Sequence, residues 1–471
     1  MCKFPTVVSL FSGAGGFDWG FQKAGFQTIF ACEKLEAPAS TLAKNLHLVK
    51  IEDIDHFRFT GIPSVLISDI KAVDFSQINV KPDVLIGGPP CQDFSMAKGQ
   101  IRQGLNGGRG KLYIEYVRAL MYFQPKFFVF ENVPGLKSAN DGTAYSTILT
   151  DLENLEQKRI EIIKQNTSII VPTKPVEGYE ILFSDVVSAT KLGIPQTRKR
   201  LIILGIRKDL IKSQSLLSLK KIKLDIGNKL SGGSSLFWKY PLTCIEILEG
   251  KTLPHLRERY KSIMDSYNNI FQDSSELIIA DWKKRSWTNF SFDIIKDYFL
   301  VNNLNYVKDF CETEFLQAMQ EHEAILDDLG VLGRPVHETK YSDLTNSLPR
   351  QSDCVKMRMY NIPPDENYAF VNGTQWEVEG KNISFIYRRS SPLKPAWTVL
   401  AYGGGGSYGY HYERSRGQLT LRERARIQTF SDDYIFTGNG IRAQIGEAVP
   451  PILGKSVANI IKELISIIEI E

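Results

Sequence analysis

Three features of the chain predict the α/β class, with an open sheet whose strand tips carry the chemistry and a second, smaller domain beside it. A strand, glycine turn and helix open the sequence; short apolar runs keep ending in a polar or reactive residue; and the regular strand–helix alternation stops near Arg207. Ligands of open α/β sheets collect beyond the carboxyl ends of the strands. The ends of these runs therefore locate the candidate site.

Thr6 to Phe11 is the first strand, and it runs into Ser12-Gly13-Ala14-Gly15-Gly16 before a helix-like stretch from Phe17 to Ala24, closed by Gly25. Glycines permit such a turn and let a ligand approach the backbone at the helix N-terminus. The second strand, Thr28 to Cys32, delivers Glu33 about 20 residues past the first glycine, where a carboxylate can accept hydrogen bonds from a ribose diol. A third, Ser64 to Ile67, ends in Ser68-Asp69-Ile70. For Asp69, a cap or turn competes with a ligand contact.

Asp83 to Ile86 is the next buried strand, cut off by Gly87-Gly88-Pro89-Pro90, so that Cys91 stands on a sharp turn. The prolines fix the backbone just before the thiol. A free thiol is only a few per cent ionised at neutral pH, so a nucleophilic Cys91 needs positive charge or helix dipoles from elsewhere in the chain. Lone cysteines are more often inert core residues, and the Pro-Pro-Cys context argues against that here. Ser95 to Gly110 is polar, basic and glycine-rich, suited to a lid over a phosphate backbone or to an ordinary loop.

Lys111 to Tyr122 has amphipathic helical spacing, and Lys126 to Phe130 is a strand that delivers Glu131 by the same device as Cys91. A carboxyl partly desolvated beside a thiol has a raised pKa and can donate a proton. A helix over Ala144 to Lys164 and a strand over Tyr179 to Phe183 follow. The run Gln196-Thr197-Arg198-Lys199-Arg200 lies between Pro195 and the strand Leu201 to Ile206, where solvated charge runs seldom sit, so anion binding is favoured.

From Lys208 to Pro395 the alternation is lost, and Trp, Tyr and Lys are scattered, with basic clusters at Lys220-Lys221, Trp282-Lys283-Lys284-Arg285 and Arg388-Arg389. Nucleic-acid contact and ordinary core aromatics both remain open. Gly403 to Gly406, among tyrosines, reads as a linker or a backbone-hugging loop, and Arg414 to Arg426 as a basic amphipathic helix opened by Thr420. The final helix carries an apolar stripe (Val457, Ile460, Ile461, Leu464, Ile465, Ile468) expected to pack back on the first domain. The expected division is 1–207, completed by 438–471, and a smaller domain over 208–437.

The 471 residues, 43% hydrophobic, exceed one ordinary domain, and a net charge of +4 permits a polyanionic partner without requiring one. Six scattered cysteines with no C-x-x-C argue against a disulfide framework or a zinc site and fit a reducing cytoplasm. No leader is evident and no apolar run approaches the roughly 20 residues of a bilayer span. A soluble protein without metal or membrane is expected.

Together these residues resemble the cytosine C5-methyltransferases of bacterial DNA modification, from Ser9 to the last helix and in the family's unpermuted order. The matching segments are LFSGAGGF (10–17), Glu33, Asp69-Ile70, GGPPCQDFS (87–95), ENVPGL (131–136), GIPQTRKR (193–200), LTLRERARIQTF (419–430) and the QIG-AVPP frame (444–451). The resemblance implies a Rossmann-like S-adenosylmethionine-dependent methyltransferase domain with a smaller target-recognition domain. It implies a cytoplasmic, nucleoid-associated monomer acting on double-stranded DNA. A cognate restriction endonuclease would be a genetic rather than a physical partner.

It further implies that Cys91 attacks C6 of a flipped-out cytosine, that Glu131 protonates or hydrogen-bonds N3, that Arg200 holds O2, and that Arg198 braces Glu131 and nearby phosphate. Phe11, Gly13, Ala14, Gly15, Gly16 and Phe17 would cradle S-adenosylmethionine, with Glu33 on its ribose and Asp69 and Ile70 at its adenine. Pro90, Glu447 and Ala448 would complete the cofactor site. Gln92, Ser95 and Lys98 would touch DNA. Relatives commonly carry Asn where this chain has Glu447, and Asn-Ala where it has Ser188-Ala189. A tRNA methyltransferase, a catalytically silent DNA-binding relative and, on the glycine turn alone, a dehydrogenase are the alternatives; the long stretch Lys208 to Pro395 favours DNA, because reading base edges needs such an insertion.

Overall fold

The computed structural model describes residues 4–52, 59–90, 112–164, 171–173, 176–211, 216–233, 235–272, 281–378, 386–402 and 409–470. Eight strands form one sheet: β1 (Thr6–Leu10), β2 (Gln27–Glu33), β3 (Val49–Ile51), β4 (Ser64–Ile67), β5 (Val84–Gly87), β6 (Phe127–Asn132), β7 (Tyr179–Ser188) and β8 (Lys199–Arg207). Their order is β3-β4-β2-β1-β5-β6-β8-β7. The first six run parallel to their neighbours, whereas β8 lies antiparallel to β6 and β7 antiparallel to β8.

Both faces of the sheet are covered, and the strands show why. Val7, Val84, Ile86, Phe127 and Val129 enter one apolar cluster, while the intervening Val8, Leu85, Phe128 and Phe130 enter the other. Alternate side chains of a strand point to opposite faces, so a continuous apolar run is what a doubly covered strand requires. The helix Leu112–Phe123 belongs to the second cluster; the first helix (Gly16–Lys23) and the C-terminal helix (Pro451–Ile470) belong to the first. The expected return of that last helix is thus realised.

Three local expectations change. The strand expected over Tyr179 to Phe183 continues to Ser188, because its partner β8 pairs along its whole length. The helix expected over Ala144 to Lys164 is two, Thr143–Glu153 and Leu155–Lys164, broken at Asn154. The basic amphipathic helix shrinks to Leu421–Ile427, opened by a Thr420–Glu423 capping box, and its arginines Arg422, Arg424 and Arg426 are buried rather than presented to solvent.

The residues just before the division expected at 438 touch the sheet unit. Trp19 Nε1 donates to Ser431 Oγ at 3.0 Å, Asn45 Nδ2 donates to the Ile435 carbonyl at 2.8 Å, and the Tyr434 hydroxyl donates to the Ala14 carbonyl. Segment 428–437 is therefore seated on the sheet unit. One apolar cluster also runs from Val7 through Tyr240 and Phe315 to Ile465, without interruption at Arg207.

Candidate active site

Register sets the tips of five strands along one edge. Leu10 pairs with Cys32 and with Gly87, Glu33 with Ile67, and Gly87 with Phe130. Just past these pairs come Phe11, Ser68, Gly88 and Glu131. The antiparallel β8 brings its beginning to the same edge, because Glu131 lies opposite Ile202 and Arg200 is two residues earlier in that strand. An acid ending one strand and a guanidinium opening the next are thereby forced together: Arg200 Nε stands 2.8 Å from Glu131 Oε1, and both side chains are mostly buried. A Cβ on Gly88 would lie 2.7 Å from Glu131 Oε2, so that glycine leaves room for the carboxyl.

Burial pushes the Glu131 carboxyl above its usual pKa, against the opposing pull of Arg200 and Arg198. Arg198 influences Glu131 through its charge, while its hydrogen bonds go elsewhere. Its terminal nitrogens donate to the carbonyls of Val399 at 3.3 Å, Gly446 at 3.0 Å and Ala448 at 3.1 Å. No hydrogen bond among the described residues joins Arg198 to Glu131, the bracing the resemblance implies, and the side chain is instead a clamp on two distant segments. The spacing explains the division of labour. In extended backbone Gln196, Arg198 and Arg200 share one side, and Gln196 and Arg198 are almost wholly buried while Thr197 and Lys199 are exposed.

Cys91, Gln92, Ser95 and Lys98, and the lid expected over 95–110, lie outside the described residues, as does Gly403 to Gly406. The approach to Cys91 is described. Asn132 Nδ2 donates to the Pro89 carbonyl at 3.1 Å and the Val133 amide donates to Asn132 Oδ1 at 2.8 Å, tying the Pro-Pro turn to the tip of β6. Pro90, at its end, is exposed.

On the other side of the edge, Phe11 adopts a left-handed conformation (φ 54°), rare for a side chain of that size, as do Gly13 and Gly15. Glu33 Oε2 accepts from the Gly13 amide at 2.8 Å and Oε1 from the Leu35 amide at 2.9 Å, so the carboxylate ties the glycine turn to β2. Burial raises the pKa of Glu33, and the charge of Glu447 raises it further. Glu447 is itself exposed, next to Ala448, whose Cβ would lie 3.0 Å from a Cβ on Gly16. Glu33 and Glu447 therefore face one another electrostatically across the turn. Asp69 caps the short turn Ile70–Ala72 through the Lys71 amide at 3.1 Å and pairs with Lys34 at 2.9 Å, which is the cap role left open by sequence. Ile70 is buried beneath it.

Two residues carry weight that the sequence reading did not assign. Asp18, fully buried in the first turn of the first helix, accepts from Ser9 Oγ at 2.9 Å and Thr28 Oγ1 at 3.2 Å, pinning that helix to β1 and β2. Gln196 donates to the Ile427 carbonyl at 3.0 Å and to Gln428 at 2.5 Å, and Gln428 in turn donates to the Ala448 carbonyl at 2.6 Å. An acid in a helix's first turn was a visible signal for Asp18; nothing local betrays a partner 232 residues away for Gln196.

A sheet with a glycine turn on one tip and an acid–guanidinium pair on another defines a Rossmann-like enzyme of the methyltransferase class. The chain belongs to the C-5 cytosine-specific DNA methylase family, whose profile matches residues 5–463. It is 46% identical to the DNA (cytosine-5-)-methyltransferase M.ApeKI of Aeropyrum pernix, over 99% of both chains. It is 27% identical to the Type II methyltransferase M.NgoFVII of Neisseria gonorrhoeae, over 95% of this chain and 83% of that one. The solved structure of a protein described as a DNA modification methyltransferase from an E. coli prophage superposes with a TM-score of 0.52 over 98% of this chain and 99% of its own, at 20% identity, which supports the fold. Since these relatives span an archaeon and bacteria, the kinship establishes the family and not a bacterial source. No helix among the described residues is long and apolar enough to cross a membrane.

Proposed function

We propose that the chain methylates C5 of cytosine in duplex DNA with S-adenosylmethionine, as the modifying half of a Type II restriction-modification pair. The observation that carries this reading is the Glu131–Arg200 pair at 2.8 Å, set at the strand edge on which the Pro89-Pro90 turn leads to Cys91. A pyrimidine ring offered to that edge meets a carboxyl with a raised pKa for N3 and a guanidinium for O2. Both withdraw electrons from C6, where Cys91 would add, and C5 then becomes nucleophilic. Because C6 is stacked inside a duplex, the base must be flipped out, at a cost of a few kcal/mol.

The glycine turn fits a nucleoside-bearing cofactor. A Cβ on Gly13 would meet nothing within 4 Å, so the turn opens onto free space, and Phe11 is held in a left-handed conformation beside it. Phe11 and 13–17, with Glu33, Ile70, Pro90, Glu447 and Ala448, would hold the group there. Bound, it supplies an electrophilic methyl. Asp69, already capping a turn and paired to Lys34, keeps lone pairs for a further donor. The stretch 208–437 would read the DNA, and Gln92, Ser95 and Lys98 would touch it near the target.

Purified protein incubated with tritiated S-adenosylmethionine should label unmethylated duplex DNA, and Cys91→Ser should abolish the label. Label in tRNA instead would overturn the DNA reading, and no label in either would leave only a silent binder. A duplex containing 5-fluorocytosine should yield a protein–DNA adduct that survives denaturation, since fluorine at C5 blocks the final elimination; an active enzyme without that adduct would refute attack by Cys91.

A further inference from the structure

The sequence singles out Arg388-Arg389, and the fold treats the two very differently. Arg389 is fully buried and donates to the backbone carbonyls of Ile362 at 2.7 Å, His411 at 2.5 Å and Arg416 at 3.3 Å, and to those of Met359 and Glu413. Its charge is consumed in tying its own stretch to two others, 359–362 and 411–416. The guanidinium of half-buried Arg388 makes no hydrogen bond or ion pair among the described residues and lies over the indole of Trp397, 4.2 Å from the ring centroid, while the Arg388 carbonyl accepts from the Tyr410 amide at 3.0 Å. Asp365, the acid whose charge it feels, is already paired to Lys394 at 2.5 Å. Trp397 is 40% exposed.

The position of this stack matters as much as its chemistry. The chain around Trp397 is stitched to the segment that carries the site arginines. The Ala396 amide donates to the Pro195 carbonyl at 2.8 Å, the Thr197 amide to the Ala396 carbonyl at 2.9 Å, and Thr398 Oγ1 to the Thr197 carbonyl at 3.2 Å. Arg198 then grips the Val399 carbonyl. Trp397 therefore stands beside exposed Thr197 and Lys199, on the solvent side of the strip whose inner side presents Arg198 and Arg200.

A guanidinium stacked on an indole is oriented before any ligand arrives, and its planar fork matches a phosphate with two parallel hydrogen bonds. Partial burial without an acceptor costs desolvation in the free protein that an anion would offset. We propose that Arg388, shelved on Trp397, binds a backbone phosphate of the DNA next to the target cytosine and so sets the position in which the base reaches the Glu131–Arg200 edge. The proposal rests on the DNA methyltransferase reading and names one contact within it. Phosphate contacts fix register and carry no sequence information, so the loss of this one should weaken all duplexes alike.

The test uses the full-length protein and a mixed-sequence 30-base-pair duplex. For Arg388→Ala the slope of log affinity against log salt should fall by about 0.9, the share of one phosphate. KM for unmethylated phage DNA should rise about tenfold, the equivalent of one charge-assisted hydrogen bond, with kcat nearly unchanged and the same sites methylated. Trp397→Ala should reproduce part of the KM effect, and Trp397→Phe should not. Arg388→Gln carries the same reading should the alanine variant fold poorly. An unchanged salt slope, or methylation that spreads to new sequences, overturns the proposal, the latter by making Arg388 a reader of bases. Failure of the unaltered protein to methylate DNA would instead strike the function reading.

Discussion

At the scale of single residues, two buried carboxyls on this sheet are handled in opposite ways. Glu131 is given a cation, Arg200 at 2.8 Å, so its desolvation is partly answered, and burial still holds its pKa above the usual carboxylate range. Asp18 receives no cation, only the hydroxyls of Ser9 and Thr28 and its own amide, and burial pushes its pKa from 3.8 up to about 6. An acid with a higher pKa folded than unfolded holds its proton more tightly in the fold. Its stabilising contribution is complete below the unfolded pKa of about 3.8 and is lost as pH rises through about 6. Asp18→Asn keeps a neutral group at every pH and can accept from one hydroxyl and donate to the other. The variant should unfold at higher denaturant than the unaltered chain at pH 8, by about 3 kcal/mol, with the gap closing below about pH 4. Denaturant midpoints across pH 4–8 measure it; a gap that persists undiminished in acid would show that something other than the charge at Asp18 is being relieved.

At the scale of elements, the contact between the first helix and the C-terminal helix depends on a missing side chain. A Cβ on Gly20 would stand 2.3 Å from the Pro451 carbonyl oxygen and 2.6 Å from the Lys455 amide nitrogen, both backbone atoms that cannot swing away. In an ordinary helix Gly→Ala stabilises by about 1 kcal/mol. Gly20→Ala should reverse that sign, cost about 1–3 kcal/mol as overpacking does, and lower the melting temperature; a variant as stable as the parent would mean the helices can separate freely. Elements were legible where the signal is local. Glycine turns, apolar runs and their polar ends located β1, β2, β4, β5, β6 and β8, together with Glu33, Glu131 and Arg200 at their tips. The three-residue edge strand β3 was not legible, for it is mostly exposed and has no apolar run. The burial of Arg422, Arg424 and Arg426 was hidden too, because their partners, Asp343 and Asp432 among them, are set by the tertiary fold.

At the scale of the whole molecule, the candidate site is assembled from segments hundreds of residues apart, and Arg198 is where they meet. Its guanidinium holds Val399, from the stretch next to Trp397, and Gly446 and Ala448, from the turn that presses on the glycine cradle at Gly16. The resemblance of GIPQTRKR to the family motif proposed Arg198 as a site residue. It could not show that the side chain reaches the last 30 residues of the chain, since that contact exists only once β8 has docked. Arg198→Met keeps much of the volume and removes the donors, taking from the Val399 and Gly446 carbonyls their side-chain partner in a buried region, where each unsatisfied group costs about 1–3 kcal/mol, while Ala448 still accepts from Gln428. Two consequences should appear together. The denaturant midpoint should fall, and affinity for S-adenosylmethionine should drop well over tenfold by calorimetry, because the 446–449 turn no longer rests against Gly16. Arg198→Lys, which keeps charge near Glu131 but cannot span the carbonyls, should resemble the methionine variant in cofactor affinity. If the lysine variant instead bound cofactor as the parent does, Arg198 would be acting by its charge on Glu131 alone, and the clamp would have to be sought in Gln196 and Gln428.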